Sequence, residues 1–481
     1  MCKVMKTFSA ILFLMIGYSA EAQNYSIVLS APQFDTGVAY LTYYYGSNMN
    51  IQDSGTINER GMVDFHSDKE LPPGVYSIVF PGKRFYYDFL VGNEKQITVS
   101  VPDTLNLFKG TKVDGSAENK LFDIYQQFIA EKAPMLQQER EAYQKSTTAK
   151  DSAFHENNYR LLNSELNQFR DTLVKEHPGS MVAALLMAMK EPTVPHTAPK
   201  TKLDSLENYQ YFKKHYWDNI TFRDDRIIRT PFFLPKLERY FRQVIDPNAD
   251  SVIREADYLL LLSRTSPGMY KFLLNWLTDE YYQPKYMGQD KVFVHFFEKY
   301  HSKGVSSWLN EKQIKSITDR AYMLMGNLIG APAGQMVMTD RNGKETSLYN
   351  IKAAFTVVVF WDPNCGHCQK ELPRVDSFYR ARWKAEGVRI FTVLTDNDAM
   401  DKWKQFIDDH KLNDWTNVYE SSAQSKAVEK AGRASYRQLY NVIETPTVFL
   451  LDSEKRIIAK KLTLEQFDEV IKSRLKSTSE R

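Results

Sequence analysis

The stretch "FTVVVFWDPNCGHCQKELP", Phe355 to Pro373, decides how this chain is read. Its first seven residues, Phe355 to Trp361, form a continuous run rich in apolar and β-branched side chains, as expected of a strand covered on both faces of a sheet. A helix is expected to start at Cys365, so the two cysteines stand where strand gives way to helix. Further along, "VRIFTVLT" (388–395) is a second buried strand and "DKWKQFIDDHK" (401–411) a helix. "TVFLLD" (447–452), "KRIIAKKL" (455–462) and "EQFDEVIKSRLK" (465–476) read as strand, strand and helix. The order β-α-β-α-β-β-α requires a central sheet with helices packed against it. Upstream, Asn342-Gly343 inside "GNLIGAPAGQMVMTDRNGKETSLYNIK" marks a hairpin turn.

Cys365 would lie at the helix N-terminus, where unpaired N–H groups and the positive end of the dipole favour a thiolate. That lowers its pKa from about 8.5 and makes it a nucleophile. The Gly366-His367 spacer puts Cys368 within one turn, close enough to attack a mixed disulfide and release the partner. A cationic His367 would add to thiolate stabilisation and make the disulfide more oxidising. Pro373 is expected to kink the helix. A structural zinc site needs about four ligands, and only one other cysteine, Cys2, occurs in the chain. Asp362-Pro363-Asn364 stands where a peroxiredoxin would need threonine, and the cysteine spacing is too narrow for copper delivery. No metal and no cofactor are expected.

With 481 residues the chain should hold two to four domains. Lys plus Arg (62) nearly balance Asp plus Glu (59) with no standout basic run, which argues against a nucleic-acid partner. Residues 1–22 read as a secretory signal peptide: Lys3 and Lys6, an apolar run from Phe8 to Ala20, and Ala20-Glu21-Ala22 as the cleavage site, with Gln23 as the mature start. An uncleaved anchor is the alternative. Cleavage removes Cys2 and leaves Cys365 and Cys368. An exported chain that keeps a single close pair keeps it for chemistry. Periplasm or extracellular space follows as the location.

Residues 23–110 read as a β-sandwich-like domain, with short strands such as "VAYLTYYYG" and "KQITVSV" punctuated by Gly and Pro. Tyr43, Tyr44, Tyr45, Tyr86 and Tyr87 could stack on sugars, but filling the sandwich core and its flanks is the better reading. "KGTKVDGS" (109–116) is a boundary, and residues 117–328 read as an all-α domain, interrupted by a loop at Glu191–Lys202. "FFLPKLERYF" (232–241) reads as a helix entered through Pro235 with a core-facing aromatic stripe. His196, His215, His295 and His301 show no metal-binding spacing and are assigned to the surface or to helix caps. Residues 330–481 form the third domain.

Trp361, Cys365, Cys368, Pro373 and Thr445-Pro446 ahead of "TVFLLD" together resemble the thioredoxin fold. Within it, the segment from Ala331 to Cys365 is similar to the exported, TlpA/ResA-like thiol–disulfide oxidoreductases of bacteria. The resemblance covers about a third of the chain. The two preceding domains look like uncharacterised ones found ahead of such modules. The expected fold is therefore multidomain: an N-terminal β-sandwich, a central all-α domain and a C-terminal α/β thioredoxin fold.

The resemblance implies a cis Pro446, with Thr445 beside the dithiol where its backbone pairs with a substrate strand. It implies that Trp361 shields the site and meets substrate. Val359 stands where many thioredoxins bury an acid, and in the exported branch an acid three residues past the second cysteine takes a comparable part. Glu371 occupies that place, on the face of Cys368, as proton handler or as a solvated first-turn glutamate. Protein thiols or disulfides are the implied partners, with a membrane or envelope dithiol as electron donor. The spacer resembles that of disulfide isomerases and the rest resembles reductants, so direction stays open. A binding or scaffold protein with an auxiliary redox domain is the rival.

Overall fold

The computed structural model describes residues 25–107 and 110–479, so the expected leader and its cleavage site lie outside the described residues. Alternation builds the first part. Strands β1 (Tyr25–Ser30), β2 (Val38–Tyr45), β3 (Asn48–Thr56), β4 (Met62–Ser67), β5 (Gly74–Val79), β6 (Tyr86–Val91), β7 (Gln96–Ser100) and β8 (Lys112–Asp114) form two four-stranded sheets, ordered β4-β1-β7-β8 and β3-β2-β5-β6. In β1, Tyr25, Ile27 and Leu29 point into one core shared with Leu41, Ile78, Phe89 and Val99, while the residues between them do not. Tyr43, Tyr44 and Tyr87 pack into the body, whereas Tyr86 is half exposed. β8 carries its sheet past residue 110 to Asp114. Its sequence reads as a linker because Val113 is its single apolar residue.

Helices α1 (Ala117–Lys145), α2 (Ala149–Glu176), α3 (Met181–Met189), α4 (Lys202–His215) and α5 (Phe233–Arg239) follow. Ser116, Thr148, Ser180 and Thr201 cap the first four, each side chain accepting a hydrogen bond from a backbone N–H of the first turn. α5 starts at Phe233 rather than at Pro235, which sits in the first turn, where a missing N–H costs no helical bond.

Contacts divide the chain between Tyr240 and Phe241, inside the helical run, whereas composition changes only near residue 328. Periodicity shows that a segment is helical, and does not show which neighbour covers its apolar face. The second unit holds α6 (Ala249–Ser263), α7 (Pro267–Tyr282), α8 (Asp290–Lys299) and α9 (Glu311–Met325). These lead into β9 (Val337–Asp340), β10 (Glu345–Ser347), β11 (Phe355–Trp361), α10 (Gly366–Phe378), β12 (Val388–Leu394), α11 (Met400–Asp409), β13 (Thr416–Tyr419), α12 (Ser422–Lys430), α13 (Tyr436–Leu439), β14 (Thr447–Leu451), β15 (Ile457–Lys460) and α14 (Leu464–Ser479).

The sheet runs β10-β9-β13-β12-β11-β14-β15, with β11 parallel to β12 and antiparallel to β14. Every residue of β11 is buried. Val357, Val359 and Trp361 face a core with Leu372, Trp403 and Phe467 from α10, α11 and α14. Val358 and Phe360 face the opposite core with Tyr436 and Tyr440. Such two-sided burial explains the unbroken apolar run. The outer edge of β15 is covered by the segment from Gly330 to Ala333, through bonds such as Ile457 N–H to Ala331 O at 2.9 Å. Beyond the expected element order the structure adds β13, α12 and α13. β13 is the short "TNVY", and α12 buries no residue, so neither carries a periodic apolar signal.

His196, His215 and His295 pair with Glu207, Asp218 and Asp257, as partly exposed histidines do. His301 departs from the surface assignment. It is buried, bonded to Thr278 and Ser306, and burial pushes its pKa down to about 4.

Candidate active site

The site forms where β11 ends. The Trp361 carbonyl accepts from the Thr395 N–H at 3.0 Å and from its hydroxyl at 3.1 Å, tying the end of β11 to that of β12. Asp362 then turns the chain: its carboxylate accepts from Asn364 N–H at 2.7 Å and its carbonyl from Cys365 N–H at 3.1 Å. Two side chains brace the turn, Lys402 Nζ on Asn364 Oδ1 at 2.7 Å and Gln369 Nε2 on Pro363 O at 2.8 Å.

Cys365 is the N-cap of α10, and its sulfur accepts from Cys368 N–H at 3.4 Å. It also donates to the Thr445 carbonyl at 3.3 Å, across a Thr445–Pro446 peptide that is cis. Cys365 is partly exposed and Cys368 is fully buried, both as free thiols. Burial works to raise the Cys365 thiol, but hydrogen bonds from the Cys368 thiol and N–H, from Thr445 and from the His367 N–H outweigh it and hold the thiol below its ordinary value. Burial dominates at Cys368 and pushes that thiol up to about 12, against a bond from the Asp362 N–H that acts the other way. One sulfur is thus primed and reachable, the other protonated and enclosed. Gly366 and His367 are exposed beside them, and a Cβ added at Gly366 would meet nothing within 4 Å, so the spacer faces open space.

One expected placement changes, and one residue with two open readings gains a partner. Trp361 is completely buried and its ring packs on Phe406 at 5.1 Å, so it cannot touch a substrate: the last residue of a two-sided strand faces the helices, not the solvent. Glu371 is bound by Arg374 at 2.6 Å, with the other guanidinium nitrogen of Arg374 on Glu465 at 2.5 Å. That is the arrangement of a helix-surface ion pair, and of the two readings of Glu371 it favours the solvated first-turn glutamate. Val359 is buried. Pro373 lies inside α10, which continues to Phe378, and a π-helical turn follows at Tyr379–Trp383. Thr395 and Lys402 brace the site without any motif that could have marked them in the sequence.

Residues 326–471 match the family model for redoxin, while 25–122 and 135–324 match two domains of unknown function, DUF4369 and DUF5106. Thiol-disulfide oxidoreductase ResA of Bacillus thuringiensis is 30% identical over 147 residues, 30% of this chain and 77% of that protein. Sporulation thiol-disulfide oxidoreductase A of Bacillus subtilis is 29% identical over 137 residues, 28% of this chain and 75% of the relative. Among solved structures, a domain of a possible thiol-disulfide isomerase from Cytophaga hutchinsonii is 30% identical, covering 32% of this chain and 97% of that one with a TM-score of 0.28. A dithiol at the first turn of a helix, on a sheet of thioredoxin order, in a segment that spans most of its curated relatives, leads to one conclusion: the chain belongs to the ResA-like family of thiol–disulfide oxidoreductases.

Proposed function

We propose that the chain is an exported oxidoreductase that reduces or exchanges disulfides in envelope proteins through the Cys365–Cys368 pair. The observation that carries this reading is the split between the two sulfurs, one lowered at a helix N-terminus and partly exposed, the other buried and raised to about 12. The Cys365 thiolate attacks a substrate disulfide, forming a mixed disulfide and expelling one substrate thiolate. Cys368 then loses its proton, which the expelled thiolate can accept, and attacks the Cys365 sulfur. The internal disulfide forms, the second substrate sulfur leaves, and two electrons have passed to the substrate. An envelope dithiol donor restores the pair. Gly366 and His367 tune the potential, and Thr445 with Pro446 forms the wall against which a substrate strand lies.

Export is supported by the leader-like segment at residues 1–22 and by the retention of one close cysteine pair after it. Reduction of insulin disulfides tests the reading. The wild type should turn over, Cys365→Ser should not, and Cys368→Ser should stall as a mixed disulfide. An inert wild type with an unreactive dithiol would favour a scaffold role instead. Equilibration against glutathione buffers fixes the direction, between an isomerase-like potential near about −180 mV and a thioredoxin-like one near about −270 mV.

A further inference from the structure

We propose that Arg320, which lies in the segment matched by a domain of unknown function, is a positioning residue for the cis-proline loop of the redox site. The inference rests on the reading of Cys365–Cys368 as a disulfide-exchanging pair. It gives the helices α7 to α9 a part in that chemistry.

Arg320 stands on α9, anchored on one side by α7: its Nε donates to the Tyr282 carbonyl at 3.1 Å and the guanidinium lies 5.6 Å from the Tyr282 ring centre. On the other side its Nη1 donates to Asn441 Oδ1 at 3.1 Å. Asn441 is buried and sits at φ +48°, a left-handed conformation that asparagine tolerates better than most residues. Its carbonyl accepts from the Ile443 N–H at 3.2 Å, and the chain then passes through Glu444 to Thr445, whose carbonyl receives the Cys365 thiol. Guanidinium, asparagine side chain, left-handed turn and Thr445 carbonyl therefore form one short continuous path from the helices to the nucleophile.

The same turn is clamped a second time. Asn327 Nδ2 donates to the Leu439 carbonyl at 3.1 Å, and a Cβ at Gly326 would lie 3.0 Å from that oxygen, so the backbones run close together. Asn327 is itself held by the buried Lys460 ammonium, which it shares with Asp290. With Leu439 fixed from Asn327 and Asn441 fixed from Arg320, the loop from Val442 to Pro446 starts from a rigid base. Arginine suits the task because its planar fork can grip two acceptors in fixed directions while staying charged. A small cavity of about 100 Å³ borders Arg320, Asn441 and Lys460, enough for water to replace the guanidinium, so losing it should loosen the loop without collapsing the fold.

The test uses the full-length protein, with insulin as the disulfide substrate and dithiothreitol as electron source, alongside iodoacetamide labelling of Cys365, which needs no docked strand. Arg320→Met should raise the KM for insulin about tenfold while kcat and the labelling rate stay within about twofold of wild type, as expected when docking geometry alone is lost. Arg320→Lys should recover part of the loss. Asn441→Gly, which keeps the left-handed backbone and removes the acceptor, should reproduce Arg320→Met and decides the matter if that variant does not fold. An unchanged KM in either folded variant, or a fall in labelling that parallels the fall in insulin turnover, overturns the proposal. A wild type without Cys365-dependent turnover removes the exchange reading and this inference together, whereas an active wild type with an unaltered Arg320→Met removes this inference alone.

Discussion

Replacing Cys365 by serine leaves Cys368 as the reporting thiol, and its alkylation should be very slow at neutral pH. Burial is the main reason: none of the Cys368 surface is exposed, and its thiol is pushed from 9.0 up to about 12. That rise corresponds to about 4 kcal/mol at roughly 1.36 kcal/mol per pH unit. At pH 8 a thiol of ordinary value is roughly one-tenth thiolate and one at 12 is roughly one ten-thousandth, so ionisation alone slows attack about a thousandfold. The Cys365→Ser change removes the smaller contributions of the Cys365 sulfur and keeps the burial, so about a hundredfold should survive as a floor.

The assay is iodoacetamide incorporation into the Cys368 peptide between about pH 7 and 11, with Cys368→Ala reporting on Cys365 in parallel. Cys365 should show a midpoint below 9.0, while Cys368 should still be accelerating at about pH 10. A Cys368 midpoint at or below 9.0, with rates within about tenfold of free glutathione, would refute the reasoning. Stability carries the same sign. Above 9.0 the unfolded thiol ionises while the folded one keeps its proton, so the contribution of Cys368 is fully present below 9.0 and is lost as pH rises towards about 12. Relative to Cys368→Ala, the reduced wild type should lose about 1 kcal/mol in urea unfolding between about pH 8 and 10.

His367→Pro deletes the N–H that supports the Cys365 thiolate at a helix position that accepts proline, so the potential should fall by about 30 mV or more in glutathione equilibration, about 1.4 kcal/mol. Trp361→Ala should lower stability by about 3–5 kcal/mol in denaturant unfolding, because the ring is wholly buried, and the milder Trp361→Phe should leave the KM for insulin unchanged. A raised KM in Trp361→Phe would restore its expected substrate contact. Lys460→Met leaves the buried Asp290 carboxylate without its cation and should cost about 3–5 kcal/mol, much of it recovered by adding Asp290→Leu, as urea midpoints will show. Glu371→Gln should not move the Cys368 labelling profile, since Arg374 holds that carboxylate; a displaced profile would return Glu371 to proton handling.

Much of the fold was legible because burial on both faces forces a composition. The run from Phe355 to Trp361 reads as an interior strand, and the alternation in "KQITVSV" reads as the one-sided strand β7. β13 and α12 escaped because four residues, or a helix that buries no residue fully, impose no apolar period. The cysteines were legible at the site because two-residue spacing at a helix start is itself the chemistry. Trp361 departs from its expected place because sequence spacing gives a face of an element and not the distant residue that covers it, whereas the partner of Glu371 lies only three residues on, along the same helix. Phe406 takes the Trp361 ring, and Arg374, itself drawn towards Glu465 on α14, takes the Glu371 carboxylate.

By itself the sequence determined the class of fold and placed the close cysteine pair at a strand-to-helix junction, because these follow from local periodicity and cysteine spacing. The tertiary structure alone decided that α6 to α9 belong to the redox unit and that Lys402, Thr395, Arg320 and Asn441 surround its loops. Those relations join residues up to 121 positions apart, through individual hydrogen bonds of residues that carry no periodic signal. Such bonds depend on where packed elements come to rest, and only the folded chain specifies that.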